Sequence, residues 1–290
     1  MRATTVSTLS ALLAALLLAA PGRLPAAGAA YPYDVPYVPT PIVVVDEMLR
    51  FASVTAADYV MDLGCGDGRI VIEAARKFGA RGIGLDLDEA LIAEARVNAQ
   101  AAGVTDRARF ERQDLFKTDL SPATVITMYL LPGVNRRLRP ELLKLKPGTR
   151  IVSHDFDLDD WQPDRKTTLR KNIFLWVVPA PVAGTWTISA EVGGVQRNYV
   201  VDVYQKFQQL DGFVRNAGPS AGLWQPRIEG DRISFTIVHM EGGKPGEEPP
   251  RAESALYFEG RVDGNVMQGQ FRRNVGREET TTPWRAVRLQ

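Results

Sequence analysis

The residues of this sequence best suited to chemistry lie between 60 and 69, in Val60-Met-Asp62-Leu-Gly64-Cys-Gly66-Asp-Gly68-Arg69. Glycine at every second position lets the backbone take tight positive-φ turns and leaves bare peptide against which a ligand can lie. A helix beginning just after the loop adds N–H donors and partial positive charge, which suits a carboxylate or phosphate. Two ligands compete for such a loop. A dinucleotide wants Gly-x-Gly-x-x-Gly, but the third glycine falls on Arg69 counted from Gly64 and on Val71 counted from Gly66. Asp62 stands before the loop, where a carboxylate repels pyrophosphate and attracts an ammonium or sulfonium group. The sign of that charge favours a cationic nucleoside such as S-adenosylmethionine, with Gly64 and Gly66 lining its path. Asp86 is placed to accept both ribose hydroxyls, and Asp114 to accept from the adenine amine. Cys65 reads as a small loop filler, because no histidine lies near it in sequence to act as a base.

These acids need rigid elements beneath them, and the hydrophobic periodicity supplies them. Tyr59–Asp62, Ile83–Leu85, Arg109–Arg112, Thr124–Met128 and Arg150–Ser153 read as strands. Between them, Ile70, Ala74 and Phe78 give one helix its stripe, ended by Gly79; Asp88 caps a second carrying Leu91, Ile92, Ala95 and Ala99. Strict alternation predicts a parallel sheet with helices on both faces, and the three acids then share its carboxyl edge, where open α/β sheets bind ligands. Upstream, Val44, Met48 and Phe51 with Val45 and Leu49 predict one more amphipathic helix, preceded by an extended proline-rich lead-in at 31–41. Thr167–Leu169 and Ile173–Val178 are two closing strands.

After Pro179 the helical period gives way to short β-like runs separated by turn signals, which predicts a small antiparallel barrel or sandwich over 179–290. Trp186, Trp224, Tyr257 and Trp284 are expected as core or barrel-closing aromatics rather than ligand platforms, and Glu241–Arg251 as a loop. The first 30 residues have the layout of a secretory signal peptide: Arg2, the apolar run Ala11–Ala20, and Ala27-x-Ala29 before a cleavage point near residue 29 or 30. The run is short for a bilayer span, so a periplasmic or secreted protein is expected, with no membrane span once cleaved; an uncleaved anchor is the alternative. A formal charge of +1 weighs against nucleic acid as partner. One cysteine and two histidines, His154 and His239, leave no Cys-cluster or imidazole-rich metal centre, and no metal is expected.

Asp62-Leu-Gly-Cys-Gly-Asp-Gly68-Arg69 resembles motif I of class I S-adenosylmethionine-dependent methyltransferases. More narrowly, Val35–Pro41, Asp67–Ala75, Tyr129-Leu-Leu-Pro132, Val152-Ser-His-Asp-Phe156 and Trp161-Gln-Pro163 are similar to the small protein-lysine methyltransferases that include the mitochondrial ATP-synthase c-subunit enzyme and its archaeal and bacterial relatives. The resemblance covers 31–178 and implies a Rossmann-like methyltransferase domain there. It implies that Asp62, Gly64, Gly66, Asp86 and Asp114 hold S-adenosylmethionine, with Thr40 closing over it. Tyr129, His154 and Asp155 would orient the acceptor amine, a lysine side chain of a protein substrate. Methyl transfer to a protein amine is thus the function expected. The alternatives are an exported binding module that keeps the nucleoside pocket without catalysis, and a methyltransferase for a small molecule.

Overall fold

Pro41 sets the backbone that starts helix α1 (Ile42–Phe51), whose Val44, Val45, Met48 and Leu49 are wholly buried. The computed structural model describes residues 36–215, 222–238, 255–275 and 278–289. The signal-like segment, the start of the lead-in, His239 and the Glu241–Arg251 loop lie outside the described residues. Strand β1 (Tyr59–Leu63) runs into the glycine loop, and α2 (Arg69–Phe78) leaves it, bounded by Gly68 and Gly79, both left-handed. β2 (Arg81–Asp86) leads to α3 (Glu89–Ala101), where the Asp88 carboxylate accepts from the N–H groups of Ala90 and Leu91. β3 (Ala108–Arg112), β4 (Val125–Met128), α4 (Pro132–Leu142) and β5 (Arg150–His154) follow, then the hairpin β6 (Arg165–Leu169) and β7 (Lys171–Val177).

The seven strands form one sheet in the order β3-β2-β1-β4-β5-β7-β6, with β7 antiparallel to both neighbours and the first five strands parallel. Alternation along the strands divides the core. Val60, Val125 and Val152 pack under α1 and α2, while Met61, Leu63, Ile126 and Met128 pack under α4. Two features depart from strict alternation. The β3–β4 crossover holds no helix; Leu115, Phe116, Leu120 and Ala123 cover the sheet from an irregular chain. Conversely, α4 forms where no helix is read from the sequence: Pro132 opens it, where a missing N–H costs nothing, and Pro140 sits in its last turn.

Eight further strands close an antiparallel barrel: β8 (Gly184–Val192), β9 (Val195–Lys206), β10 (Gln209–Val214), β11 (Leu223–Glu229), β12 (Arg232–Val238), β13 (Ala255–Asp263), β14 (Val266–Val275) and β15 (Glu278–Arg288). β15 pairs back onto β8 from Trp284↔Ala190 to Arg288↔Trp186 and shuts the wall. Phe235 and Phe258 stack at 4.9 Å and Trp284 meets both edge-on. A void among Trp186, Val201, Leu223 and Phe235 measures about 10 Å³, room for one water, so the interior is a packed core. Of the four aromatics read as core or barrel-closing, Trp186 and Trp284 are buried; Trp224 and Tyr257 lie on the outer wall, 47% and 38% exposed. Strand alternation decides this: Leu223 and Leu256 take the inward positions beside them.

Barrel and sheet meet firmly. Trp161, wholly buried, stacks on Phe207 and donates from Nε1 to Gln208 at 2.9 Å; Ala180 N–H donates to the Gly230 carbonyl at 2.7 Å. Gly230 lies on Gly148, which precedes β5. This part of the junction is at the amino ends of the parallel strands, opposite the glycine loop.

Candidate active site

β1 ends with Val60 and Asp62 on one face, which carries a carboxylate into the interior beside β4. Asp62 is 2% exposed, and Thr127 Oγ1 donates to its Oδ1 at 2.7 Å. Its Oδ2 is buried with no hydrogen-bond partner among the described residues. Burial, joined by the nearby Asp86 and Asp67 carboxylates, raises its pKa to about 7 despite the Thr127 bond. An orphaned, anion-prone oxygen of this kind costs about 1–3 kcal/mol unless something donates to it. A cationic ligand meets that need and a pyrophosphate does not.

The loop itself is wound tightly. Gly64, Gly66 and Gly68 have φ of 76°, 54° and 82°. At Gly66 a side chain is excluded on two counts: the left-handed backbone, and the Tyr37 ring, whose Cε2 lies 2.3 Å from where a Cβ would stand. The Gly66 N–H donates to Asp86 Oδ2 at 2.9 Å, and the Asp88 N–H to Asp86 Oδ1 at 3.0 Å. Asp86 therefore braces the loop from the end of β2, and each of its oxygens keeps a second lone pair for a hydroxyl. Asp114 stands two residues past β3, held by the Phe116 N–H at 3.0 Å and by Lys117 at 3.3 Å. That backbone donor keeps its carboxyl below the usual range.

The lead-in crosses this edge. Tyr37 covers Gly66, and its hydroxyl donates to Asp67; the Arg69 guanidinium grips Asp67 from Nε and Nη2 and donates from Nη1 to the Thr40 carbonyl at 2.9 Å. Burial pushes the Asp67 carboxyl up, and Arg69 more than offsets this and holds it low. On the far side, Thr40 Oγ1 and His154 Nδ1 share a buried hydrogen bond of 3.2 Å. His154, at the end of β5, is 2% exposed and packs against Tyr129, ring centroids 4.1 Å apart; Tyr129 also stacks on Phe156. Burial lowers the His154 pKa and keeps the imidazole neutral, and its Nε2 is buried without a partner among the described residues. Asp155 has a left-handed backbone, φ 69°, and its carboxylate is paired with Lys171 at 2.5 Å.

The carboxyl edge thus brings together all the residues singled out in the sequence: Asp62, Gly64, Gly66, Asp86 and Asp114 on β1–β3, Tyr129, His154 and Asp155 past β4 and β5, with Thr40 across them. Tyr37, Thr127 and Lys171 are additions of the tertiary structure. Tyr37 lies in the Val35–Pro41 segment that carries the resemblance, whereas Thr127 meets Asp62 across 65 residues, and no local pattern marks it. Among the described residues no cluster of His, Cys, Asp or Glu is arranged to hold a metal ion.

A 3-2-1-4-5-7-6 sheet with one reversed strand, a glycine loop between β1 and α2, and acids at three successive strand ends defines a class I S-adenosylmethionine-dependent methyltransferase. Residues 62–165 match the family model described as the ANTKMT methyltransferase domain. The chain is 50% identical over 135 residues to a protein-lysine N-methyltransferase of Saccharolobus islandicus, spanning 46% of this chain and 84% of that protein. With the mouse adenine nucleotide translocase lysine N-methyltransferase it shares 39% identity over 106 residues, 36% of this chain and 46% of that protein. A solved structure of an RNA methyltransferase from Salinibacter ruber in complex with S-adenosyl-L-homocysteine is 52% identical, covering 50% of this chain and 96% of that one, with a TM-score of 0.49. The chain belongs to the family of the archaeal protein-lysine N-methyltransferase, and its cofactor is S-adenosylmethionine.

Proposed function

We propose that this protein transfers a methyl group from S-adenosylmethionine to the ε-amine of a lysine in a protein outside the cytoplasm. The observation that carries the acceptor is the 50% identity to a protein-lysine N-methyltransferase along 84% of that protein's length. When bound, S-adenosylmethionine supplies an electrophilic methyl on a sulfonium, which an amine lone pair takes by in-line displacement while the sulfur keeps the bonding electrons. The protein's own contribution is position and dryness. Asp62 Oδ2 would take a positive group of the cofactor, Asp86 the ribose hydroxyls and Asp114 the adenine amine. Tyr129, His154, Phe156 and the paired Asp155 would form the acceptor wall. A lysine entering there must shed its proton, and a water-poor wall with a neutral imidazole lowers its pKa from about 10.4 by disfavouring the ammonium. Holding donor and acceptor in register is worth up to about 7–11 kcal/mol.

The compartment in this reading rests on residues 1–30, whose pattern supports export to the periplasm or beyond. Comparing lysine methylation of envelope proteins between wild-type and deletion strains tests the acceptor, and fractionation of a tagged copy tests the compartment. Loss of methyl-lysine from an envelope protein is the expected result. Unchanged protein methylation with a methyl group missing from RNA or a metabolite would refute the lysine reading.

A further inference from the structure

Thr40 touches both halves of the site with different atoms. Its carbonyl accepts from Arg69, which is anchored to the cofactor loop through Asp67; its hydroxyl meets Nδ1 of His154, on the acceptor side. Thr40 is 4% exposed and is flanked by Pro39 and Pro41, so the short strap has few backbone freedoms with which to adjust. His154 in turn rests on the Tyr129 ring, and its remaining nitrogen, Nε2, is buried and unpartnered. A buried ring nitrogen without a partner needs one, and the other ring nitrogen decides which way it is held.

Resting on the methyltransferase reading above, we propose that His154 is a positioning residue through which closure of the strap over the cofactor completes the acceptor wall. Thr40 fixes the imidazole through Nδ1, and Nε2 is thereby turned to the place of the acceptor amine. The strap shuts on the cofactor side through Tyr37 and Arg69 and on the acceptor side through His154, so neither site is complete while the strap is open.

The test uses the full chain and the chemistry of amide side chains. Asn at 154 places its amide near Nδ1, and Gln places it near Nε2. Hydrogen exchange of the Val44 and Val45 amides, which both donate to the Pro41 carbonyl at the root of the strap, is compared in the free protein, and the release rate of S-adenosylhomocysteine is measured separately. In Thr40→Val and His154→Gln, strap exchange and ligand release are each expected to quicken about tenfold. Thr40→Ser and His154→Asn should stay within about twofold of wild type. Wild-type exchange rates in Thr40→Val, or His154→Asn behaving like His154→Gln, would overturn the latch. Failure of the wild-type protein to bind S-adenosylmethionine would instead strike the underlying reading, and the free-protein exchange would still decide the latch. Melting curves of all four variants separate a loosened strap from a damaged fold.

Discussion

A carboxyl group whose pKa lies near 7 makes cofactor capture depend on pH in a definite direction. Asp62 must be ionised to hold a cation, and in the free protein burial keeps it protonated below about pH 7. Affinity for S-adenosylmethionine is therefore expected to be full above pH 7 and to fall by up to about tenfold per unit below it, as one proton must leave for each ligand bound. Titration calorimetry at pH 6 and pH 8 reads this, and Asp62→Asn should bind weakly and almost without pH dependence. The same group acts on stability with opposite sign. Its folded pKa exceeds its unfolded one, so its contribution is full at acid pH and is lost as pH rises through about 7. The thermal shift caused by the cofactor should accordingly be larger at pH 8 than at pH 6. Glycine at the loop makes a second residue-level contrast. Gly66 and Gly103 are both left-handed, but a Cβ at Gly66 strikes Tyr37 and one at Gly103 meets nothing within 4 Å. Gly103→Ala should cost only backbone strain, about 1–2 kcal/mol in a melt, whereas Gly66→Ala should also displace the strap and abolish measurable cofactor binding. Asp62, Gly64 and Gly66 were legible in sequence because they crowd one local motif. Thr127 and His154 act over 65 and 114 residues of separation, on Asp62 and Thr40 respectively, and no local pattern announces such a bond.

Elements hold these residues by capping and by alternation, and their legibility differed for physical reasons. α3 was visible because Asp88 is a strong N-cap and Ile92, Ala95 and Ala99 keep a helical spacing. Asp88→Ala is expected to lower stability by about 1 kcal/mol and leave cofactor affinity unchanged, since Asp86 accepts from the backbone N–H of residue 88, which alanine retains. Urea unfolding alongside calorimetry separates the two effects. α4 was hidden because Pro132, Gly133 and Pro140 are poor helix formers; Pro132, at the first helical position, lacks only a donor that has no partner there, and Pro140 falls in the last turn. The β3–β4 crossover misled in the other direction. Alternation favours a helix, and Phe116, Leu120 and Ala123 even keep a helical spacing, yet Pro122 lacks the N–H and its ring clashes with the carbonyl four residues back, so the segment covers the sheet as irregular chain.

At the scale of the molecule the question is whether the barrel works on the site or only carries it. The order of the strands argues for separation: Gly230 rests on Gly148 ahead of β5, while His154 ends that strand on the opposite edge of the sheet. The link nearest to the core is Phe207, half-buried, stacked on Trp161 at 5.8 Å and faced by the Arg139 guanidinium. Phe207→Ala removes about 2 kcal/mol of apolar burial from the junction, enough to lower the melting temperature by about 4–8 °C in a chain of this size. Because Trp161 remains enclosed by the sheet core of Met128, Trp176 and Leu138, no displacement should reach β1 or the glycine loop. The expected outcome is a less stable protein whose affinity for S-adenosylmethionine stays within about twofold of wild type. A tenfold loss of affinity in the folded variant would instead make the barrel part of the cofactor site's support, with the buried Trp161, stacked on Phe207, carrying that effect into the sheet.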